Sequence, residues 1–176
     1  MVKMNPMDDK DFETRKPYFA AGVHEVYIKD FTTGKSPNTG SQFIEFTLLG
    51  AEDEEGTARL YLTEKTVDRT RSILATIAVH NKQGEAEKQK VRDAFKVIDD
   101  SDQLLDSKFL EKFKEMQAWI LVEEDLNAPK PNGGYYLRTN LYSYEPKPRN
   151  NAAQMTAEQL VSDMNESADL SEIPFK

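Results

Sequence analysis

The chain has no cysteine, one tryptophan and two histidines among its 176 residues. Without cysteine there is no disulfide and no thiolate metal site, and His24 and His80 are too few for a histidine-rich metal site. No apolar run approaches the ~20 residues of a membrane-spanning helix. The first residues, MVKMNPMDDKDF, lack the apolar segment of a secretory signal. These absences predict a cytoplasmic protein without disulfides.

The formal net charge is −8, from 31 acidic and 23 basic residues. An acidic balance argues against nucleic-acid binding unless one face of the protein is basic. Half of this net charge, −4, falls on residues 151–176. Three acidic clusters, at 8–11, 52–55 and 123–125, carry much of the rest. The overall charge therefore leaves open whether the folded part has a basic face.

Three early segments alternate apolar and polar residues, as half-buried strands do. They are AAGVHEVYIKDF, QFIEFTLLG and TARLYLT. The loop-forming stretch TTGKSPNTGS and the acidic turn AEDEEG separate them. This order predicts an antiparallel meander. Its predicted core-facing residues are Val26, Ile28, Ile44, Phe46, Leu48, Leu60 and Leu62.

Between residues 66 and 116 the apolar period becomes that of amphipathic helices, with breaks at 81–84 and 99–102. The predicted apolar stripes are Val67, Leu74, Ile77 and Ala78; Val91, Ala94, Phe95 and Ile98; and Phe109, Leu110, Phe113 and Met116. Strand patterning returns at QAWILVEEDL and YYLRTNLYSYEP, which an Asn-Gly-Gly turn separates. The order predicts a mainly β protein: a five-stranded OB-like Greek-key barrel with helices between strands 3 and 4.

The periodicity ends after Pro146. The polar run PKPRNNAAQ and the acidic residues after it are typical of a linker and a disordered tail. We therefore predict three parts. They are a flexible arm at 1–16, one folded domain at 17–147, and a linker with an acidic tail at 148–176.

Several outward positions of the predicted strands carry aromatic or basic side chains, where polar residues are usual. Aromatic rings stack on any base for roughly 1–3 kcal/mol, and lysine and arginine bind phosphates. The pattern favours a surface for single-stranded nucleic acid, although some of these rings could instead pack beneath the helices. The candidate contacts are Tyr27, Lys29, Phe31, Lys35, Phe43, Arg59, Tyr61, Trp119, Tyr136, Arg138, Asn140 and Tyr142.

The last residues, DLSEIPF at 169–175, resemble the C-terminal tip of bacterial single-stranded DNA-binding proteins. In that family the tip docks on replication, recombination and repair proteins. Here Lys176 follows the phenylalanine, so the terminal carboxylate lies one residue further on. The partner contacts that the resemblance implies are Asp169, Glu172, Ile173, Pro174 and Phe175.

The segment PYFAAGVHEVYIKDFTTGKSPNTGSQFIEFTLLG is similar to phage-encoded single-stranded DNA-binding proteins. These open with a Gly-initiated strand, a polar loop and an F-x-E-F-type second strand. The resemblance extends over 17–147 as a pattern, not as a sharp motif. It implies an OB fold with added helices that coats and protects single-stranded DNA in an infected bacterial host, without covalent chemistry and without a cofactor.

Two other functions remain open. An acidic protein-interaction or inhibitor module on an OB-like barrel would bind no oligonucleotide. A nuclease with a carboxylate-held metal would degrade its substrate with magnesium, but the acids at 52–55 lie in a predicted turn. The stretch TTGKS lacks the first glycine of a phosphate-binding loop, because Lys29 stands at that position.

Overall fold

The structure is a computed structural model that describes residues 1–8 and 16–148. The chain divides into two units, Met1–Pro146 and Lys147–Lys176. No helix within the described residues is long and apolar enough to cross a membrane. The tail residues predicted to bind partners, Asp169, Glu172, Ile173, Pro174 and Phe175, lie outside the described part of the chain.

Five strands and four helices form within the described residues. They are β1 (Gly22–Lys35), β2 (Gln42–Gly50), β3 (Glu55–Tyr61), α1 (Val67–His80), α2 (Glu85–Lys96), α3 (Ser101–Leu104), α4 (Ser107–Glu111), β4 (Gln117–Pro129) and β5 (Tyr135–Tyr142). The predicted succession of three strands, helices and two strands is confirmed. The first helix break lies at 81–84 as predicted, and the second lies at 97–100, slightly earlier than predicted.

The strands form one antiparallel sheet in the order β3-β2-β1-β4-β5. Strand β1 lies at its centre and pairs with β4 along its first half and with β2 along the rest. The two edge strands of this order, β3 and β5, approach each other, with Cα atoms within 8 Å. The β2–β3 hairpin therefore pairs with one side of the long central strand β1, and the β4–β5 hairpin pairs with its other side.

One face of the sheet packs against helices and forms the core. Val26, Ile44 and Phe46 on this core face are fully buried, as their alternation predicts. Helix α1 adds Leu74 and Ile77 to the same cluster. The remaining buried members of the cluster are Phe19, Ile28, Leu48, Ala58, Leu60, Leu62, Ala78, Leu104, Leu110, Phe113, Ala118, Ile120, Val122 and Leu141.

Helix α2 lies less deep in the core than α1, because none of its residues is fully buried. Val91 and Phe95 are half-buried and pack against the core cluster, and the Phe95 ring meets Phe109 edge-on at 5.6 Å. Ala94 is exposed, so its assignment to the apolar stripe is wrong. The helix contacts the core along only one narrow edge.

Helix α4 is shorter than its apolar pattern suggested, because the chain leaves the helix to pair with β1. The N–H of Glu115 donates to the carbonyl of Ile28 at 2.7 Å, and the N–H of Ile28 donates to the carbonyl of Met116 at 2.9 Å. Glu115 has a φ of 70°, in the left-handed region, which turns the chain out of the helix. The turn leads directly into β4.

The start of β4 is also held by the end of α1. The N–H of Gln117 donates to Oδ1 of Asn81 at 2.8 Å, and Nδ2 of Asn81 donates to the carbonyl of Gln117 at 2.8 Å. The same amide donates to the carbonyl of Ile77 at 2.8 Å. One side chain thus fixes where β4 enters the sheet, and with it the position of Trp119 two residues later.

Phe19 is a core residue that the sequence pattern did not indicate. It is 6% exposed and its ring lies over Gly50 and Gly56 in the β2–β3 hairpin. The N–H of Glu55 donates to the carbonyl of Pro17 at 3.0 Å and holds this segment in place. Phe19 comes before β1 in irregular chain, so no period marks it as buried.

Candidate nucleic-acid interface

The outer face of the sheet, opposite the core face, carries most of the predicted contacts. On β2 and β3 the register pairs Phe43 with Tyr61. On β4 and β5 it pairs Trp119 with Tyr142. Directly paired residues share a face, so the aromatic side chains of neighbouring strands meet on the outer face. The other predicted contacts on this face are Tyr27, Arg59, Tyr136, Arg138 and Asn140.

Phe31 does not belong to the outer face, although simple alternation along β1 places it there. The register shifts between Ile28 and Asp30, where β1 has one extra residue. Beyond this bulge Phe31 pairs with Phe46, which is fully buried. Phe31 is half-buried and packs against the core cluster, so its predicted outward orientation is wrong.

The Phe43 cluster, formed by Phe43, Tyr61, Arg59, Glu45 and Gly34, lies on β1, β2 and β3. The Phe43 and Tyr61 rings meet edge-on at 6.0 Å, and the guanidinium carbon of Arg59 lies 4.3 Å from the centre of the Phe43 ring. A Cβ at Gly34 would lie 2.9 Å from that ring, so the close approach needs glycine. Phe43 is only 9% exposed, whereas Tyr61 is 39% exposed. Tyr61 is therefore the more accessible ring.

The Trp119 cluster, formed by Tyr27, Trp119, Tyr142 and Tyr144, crosses β1, β4 and β5. Trp119 lies opposite Tyr142 on one side and Glu25 on the other. Tyr27 is the next outward residue after Glu25, which makes it a diagonal neighbour of Trp119. The Tyr142 and Tyr144 rings meet edge-on at 5.7 Å. Tyr144 was not predicted, although the pattern Tyr-Ser-Tyr continues the outward alternation of β5.

The rings of the Trp119 cluster differ in how much of each is accessible to solvent. Tyr27 is 49% exposed and Tyr144 is 59% exposed, whereas Trp119 and Tyr142 between them are half-buried. A base can reach the exposed rings of Tyr27 and Tyr144 directly, and the Tyr144 ring packs edge-on against Tyr142. Helix α1 ends beside the cluster, because Nδ1 of His80 lies 2.7 Å from the carbonyl oxygen of Ser143.

Three of the four predicted phosphate contacts are already paired with carboxylates. Arg59 and Arg138 each lie directly opposite their glutamate on the neighbouring strand. The basic side chain of each pair is between 42% and 48% exposed. Lys35, at the end of β1, has no ion-pair partner within the described residues. The pairs are Lys29 with Glu55 (3.2 Å from Nζ to Oε2), Arg59 with Glu45, and Arg138 with Glu123 (2.9 Å from Nη2 to Oε1).

The Arg59 guanidinium interacts with two side chains of the outer face, Glu45 and Tyr61. Hydrogen bonding to Glu45, and then to Tyr61, raises the pKa of the Arg59 guanidinium above its ordinary value. Arg59 and Glu45 lie opposite each other on β3 and β2, so the sheet register itself brings them together. The outer face is therefore closer to neutral than its count of lysines and arginines suggests.

Two further cations lie at the loops that flank the sheet. Lys35 precedes the loop between β1 and β2, and Lys130 begins the turn between β4 and β5. The Lys130 ammonium lies 5.6 Å from the centre of the Tyr136 ring, and that ring is 53% exposed. The turn thus presents an aromatic ring and a positive charge side by side.

No three histidine or carboxylate side chains converge as potential metal ligands within residues 1–8 and 16–148. No protein-family model matches the chain, and no curated protein matches it. What the outer face binds is therefore inferred from its own residues.

Proposed function

We propose that the protein binds single-stranded DNA without sequence specificity and protects it during phage DNA replication, recombination and repair. The observation that carries the proposal is the Trp119 cluster, in which aromatic side chains occupy adjoining outward positions on three strands. Stacking on such rings depends little on base identity, so the surface suits any sequence. The tail residues 169–175 would recruit partner proteins, as their resemblance implies.

We further propose that the sheet closes into an OB barrel. The strand order and the approach of β3 to β5 support this closure. OB folds bind oligonucleotides on strands 2 and 3 and with the loops between strands 1–2 and 4–5. Phe43, Arg59 and Tyr61 lie on those strands. Lys35 lies at the first loop, and Lys130 with Tyr136 lies at the second. The arrangement agrees with the proposed binding surface.

Salt dependence is the sharpest measure of how this surface would hold a strand. The logarithm of the binding constant falls against the logarithm of salt with a slope of about −0.7 per neutralised phosphate for single strands. If only Lys35 and Lys130 contact phosphates, the slope is about −1.4. If the three ion pairs also open, five cations contribute and the slope is about −3.5. A shallow slope would indicate binding dominated by stacking.

The test is a titration of the full chain with a labelled dT oligomer of about 20 nucleotides, longer than the roughly 4–16 that one OB fold covers. Anisotropy is measured over a range of salt concentrations, with and without magnesium. We expect salt-sensitive binding without cleavage. A dissociation constant weaker than about 100 μM at low salt, the weak limit of non-specific binding, refutes the proposal.

Exposed tyrosines supply matched variants for the stacking surface. Tyr27→Ala and Tyr136→Ala should each remove one stacking ring, which weakens binding by about 1–3 kcal/mol, or roughly 5- to 150-fold. Tyr18→Ala is the control, because Tyr18 is 85% exposed but precedes the sheet. Equal effects of all three substitutions would contradict a surface centred on the outer face.

The paired cations favour one alternative, an acidic protein-interaction or inhibitor module. A face whose lysines and arginines are neutralised by its own glutamates attracts polyanions less than a free basic face does. This alternative predicts no affinity for the dT oligomer at any salt concentration. The same titration therefore separates the two functions, and loss of the oligomer with magnesium would instead indicate a nuclease.

A further inference from the structure

We propose that three glutamates of the outer face, Glu45, Glu55 and Glu123, are internal counter-ions that nucleic-acid phosphates must displace, and that they thereby set the affinity for single strands. The inference rests on the proposed single-strand-binding function and concerns the same surface. The carboxylate of each glutamate contacts a cation that is a candidate phosphate contact. It lies where a phosphate oxygen would bind that cation.

Glu45 controls access to an aromatic ring as well as to a cation. It lies opposite Arg59 and binds its guanidinium group, which covers the face of Phe43 at 4.3 Å. While this pair is closed, Arg59 is neutralised and Phe43 stays 9% exposed. If a phosphate draws Arg59 away, both the cation and the ring become available. Glu45 thus couples one phosphate contact to one stacking site.

Glu55 holds two lysines together at the edge of the outer face. Its Oε2 lies 3.2 Å from the ammonium of Lys29 and 3.6 Å from that of Lys16. Because both ammonium groups contact one oxygen, they lie at most about 7 Å apart, a spacing that suits charge-assisted bonds to one phosphate group. Lys16 was not predicted as a contact, since it lies outside the strands. Its ammonium also lies 3.6 Å from Oδ1 of Asp53, so Glu55 and Asp53 share this lysine.

Glu123 is the least exposed of the three, with 17% of its side chain accessible. Its Oε1 accepts hydrogen bonds from Nη2 of Arg138 at 2.9 Å and from Nε at 3.3 Å, and Nδ2 of Asn140 lies 3.4 Å away. Two predicted DNA contacts are therefore turned toward one carboxylate. A phosphate bound by Arg138 must compete with that carboxylate.

The expected size of the effect follows from the strength of exposed ion pairs. Such pairs change an equilibrium by about 1.4- to 5-fold each. A strand presents phosphates in a row and can replace several carboxylates together, whereas a single small anion replaces one. The glutamates would therefore reduce affinity for every anion, but a continuous single strand would overcome them best.

The experiment uses Glu45→Gln, Glu55→Gln, Glu123→Gln and the triple variant in the full chain, titrated with the labelled dT oligomer. Each single variant should bind about 1.4- to 5-fold tighter, and the triple variant about 3- to 150-fold tighter. Each freed cation should also steepen the salt slope by about 0.7. Thermal unfolding of every variant checks that the fold is kept, and the single variants carry the test if the triple variant does not fold.

Glu87→Gln is the matched control. Glu87 pairs with Lys90 at 2.9 Å on helix α2, so its substitution changes the net charge equally without touching the outer face. It should leave both the affinity and the salt slope unchanged. A mutant cycle adds a second test: in the Arg59→Gln background, Glu45→Gln should no longer tighten binding.

The outcomes separate this inference from the proposed function. If the wild-type chain binds the oligomer and the three variants bind no tighter than Glu87→Gln, the counter-ion inference is wrong and the binding function stands. If neither the wild-type chain nor any variant binds, the proposed function itself is wrong. Tighter binding with a steeper salt slope supports both.

Discussion

Replacing Gly56 by alanine would add a Cβ atom directly against the ring of Phe19. That atom would lie 2.8 Å from Cδ2 and 3.2 Å from Cε2 of the ring. The first distance is about 0.7 Å below the ~3.5 Å of an optimal carbon–carbon contact, so the ring must move. A Cβ at Gly50 would come within 2.6 Å of the same ring, which shows how closely both glycines are packed. We expect Gly56→Ala to destabilise the fold by about 1–3 kcal/mol, as overpacking does.

Removal of the ring should reverse that result. Phe19→Ala alone should cost about 3 kcal/mol, the low end for a buried phenylalanine, because this segment precedes the first strand and can relax. In the Phe19→Ala variant, the methyl group added by Gly56→Ala contacts no ring. Alanine also fits the backbone there, because Gly56 does not have a positive φ. Alanine there should then be neutral or stabilising by up to about 1 kcal/mol, since it restricts the unfolded chain.

The assay is urea unfolding of the wild-type chain, both single variants and the double variant. Trp119, the only tryptophan, supplies the fluorescence signal, and linear extrapolation gives the free energy of unfolding. We expect the effects of the two substitutions to deviate from additivity by more than about 1 kcal/mol. If Gly56→Ala destabilises equally in both backgrounds, Phe19 does not pack on this glycine and the reasoning is refuted.

Three further predictions test other parts of the molecule. Asn81→Ala should lower the free energy of unfolding, measured in urea, by about 1–3 kcal/mol. The reason is that the backbone N–H and the carbonyl of Gln117 each lose a hydrogen bond to the Asn81 side chain. Deletion of 151–176 removes a net charge of −4 and should tighten dT binding at low salt, with the gain lost near 1 M salt, where the screening length is about 3 Å. A backbone hydrogen bond lowers the pKa of Asp30 below 3.8, and an arginine hydrogen bond lowers that of Glu85 below 4.5. The ionised carboxylates of both groups stabilise the fold at pH values above their ordinary pKa values, and this stabilisation is lost as the pH falls. The urea concentration at the unfolding midpoint should therefore decrease from pH 5 to about pH 3. A midpoint that stays constant over this pH range would contradict the prediction.

The alternation of apolar residues predicted the strands and their core faces well, because it reflects a local property of each segment. Val26 and Ile28 on β1, and Ile44 and Phe46 on β2, are buried as their period requires. The prediction for Phe31 failed because a single bulge inverts the faces beyond it, and nothing in the local pattern marks the bulge. Register is a property of two strands together.

The aromatic part of the candidate site was largely predictable, whereas its electrostatics was not. Trp119 and Tyr142 were placed on the outward face from alternation alone, and the register brings them side by side. The partners of Arg59 and Arg138 come from other strands, 14 and 15 residues away in the chain. Whether a cation is free or paired therefore depends on strand pairing, which the sequence does not display.

The sequence by itself determined the order of strands and helices along the chain, the absence of cysteine chemistry and most of the outward aromatic positions, because these follow from composition and short-range periodicity. Only the tertiary structure decided the strand register, the burial of Phe19, the core-side position of Phe31 and the glutamates that neutralise the outer cations. The physical reason is that these features arise from contacts between distant segments. Their geometry is set only when the sheet assembles, and no local pattern encodes it.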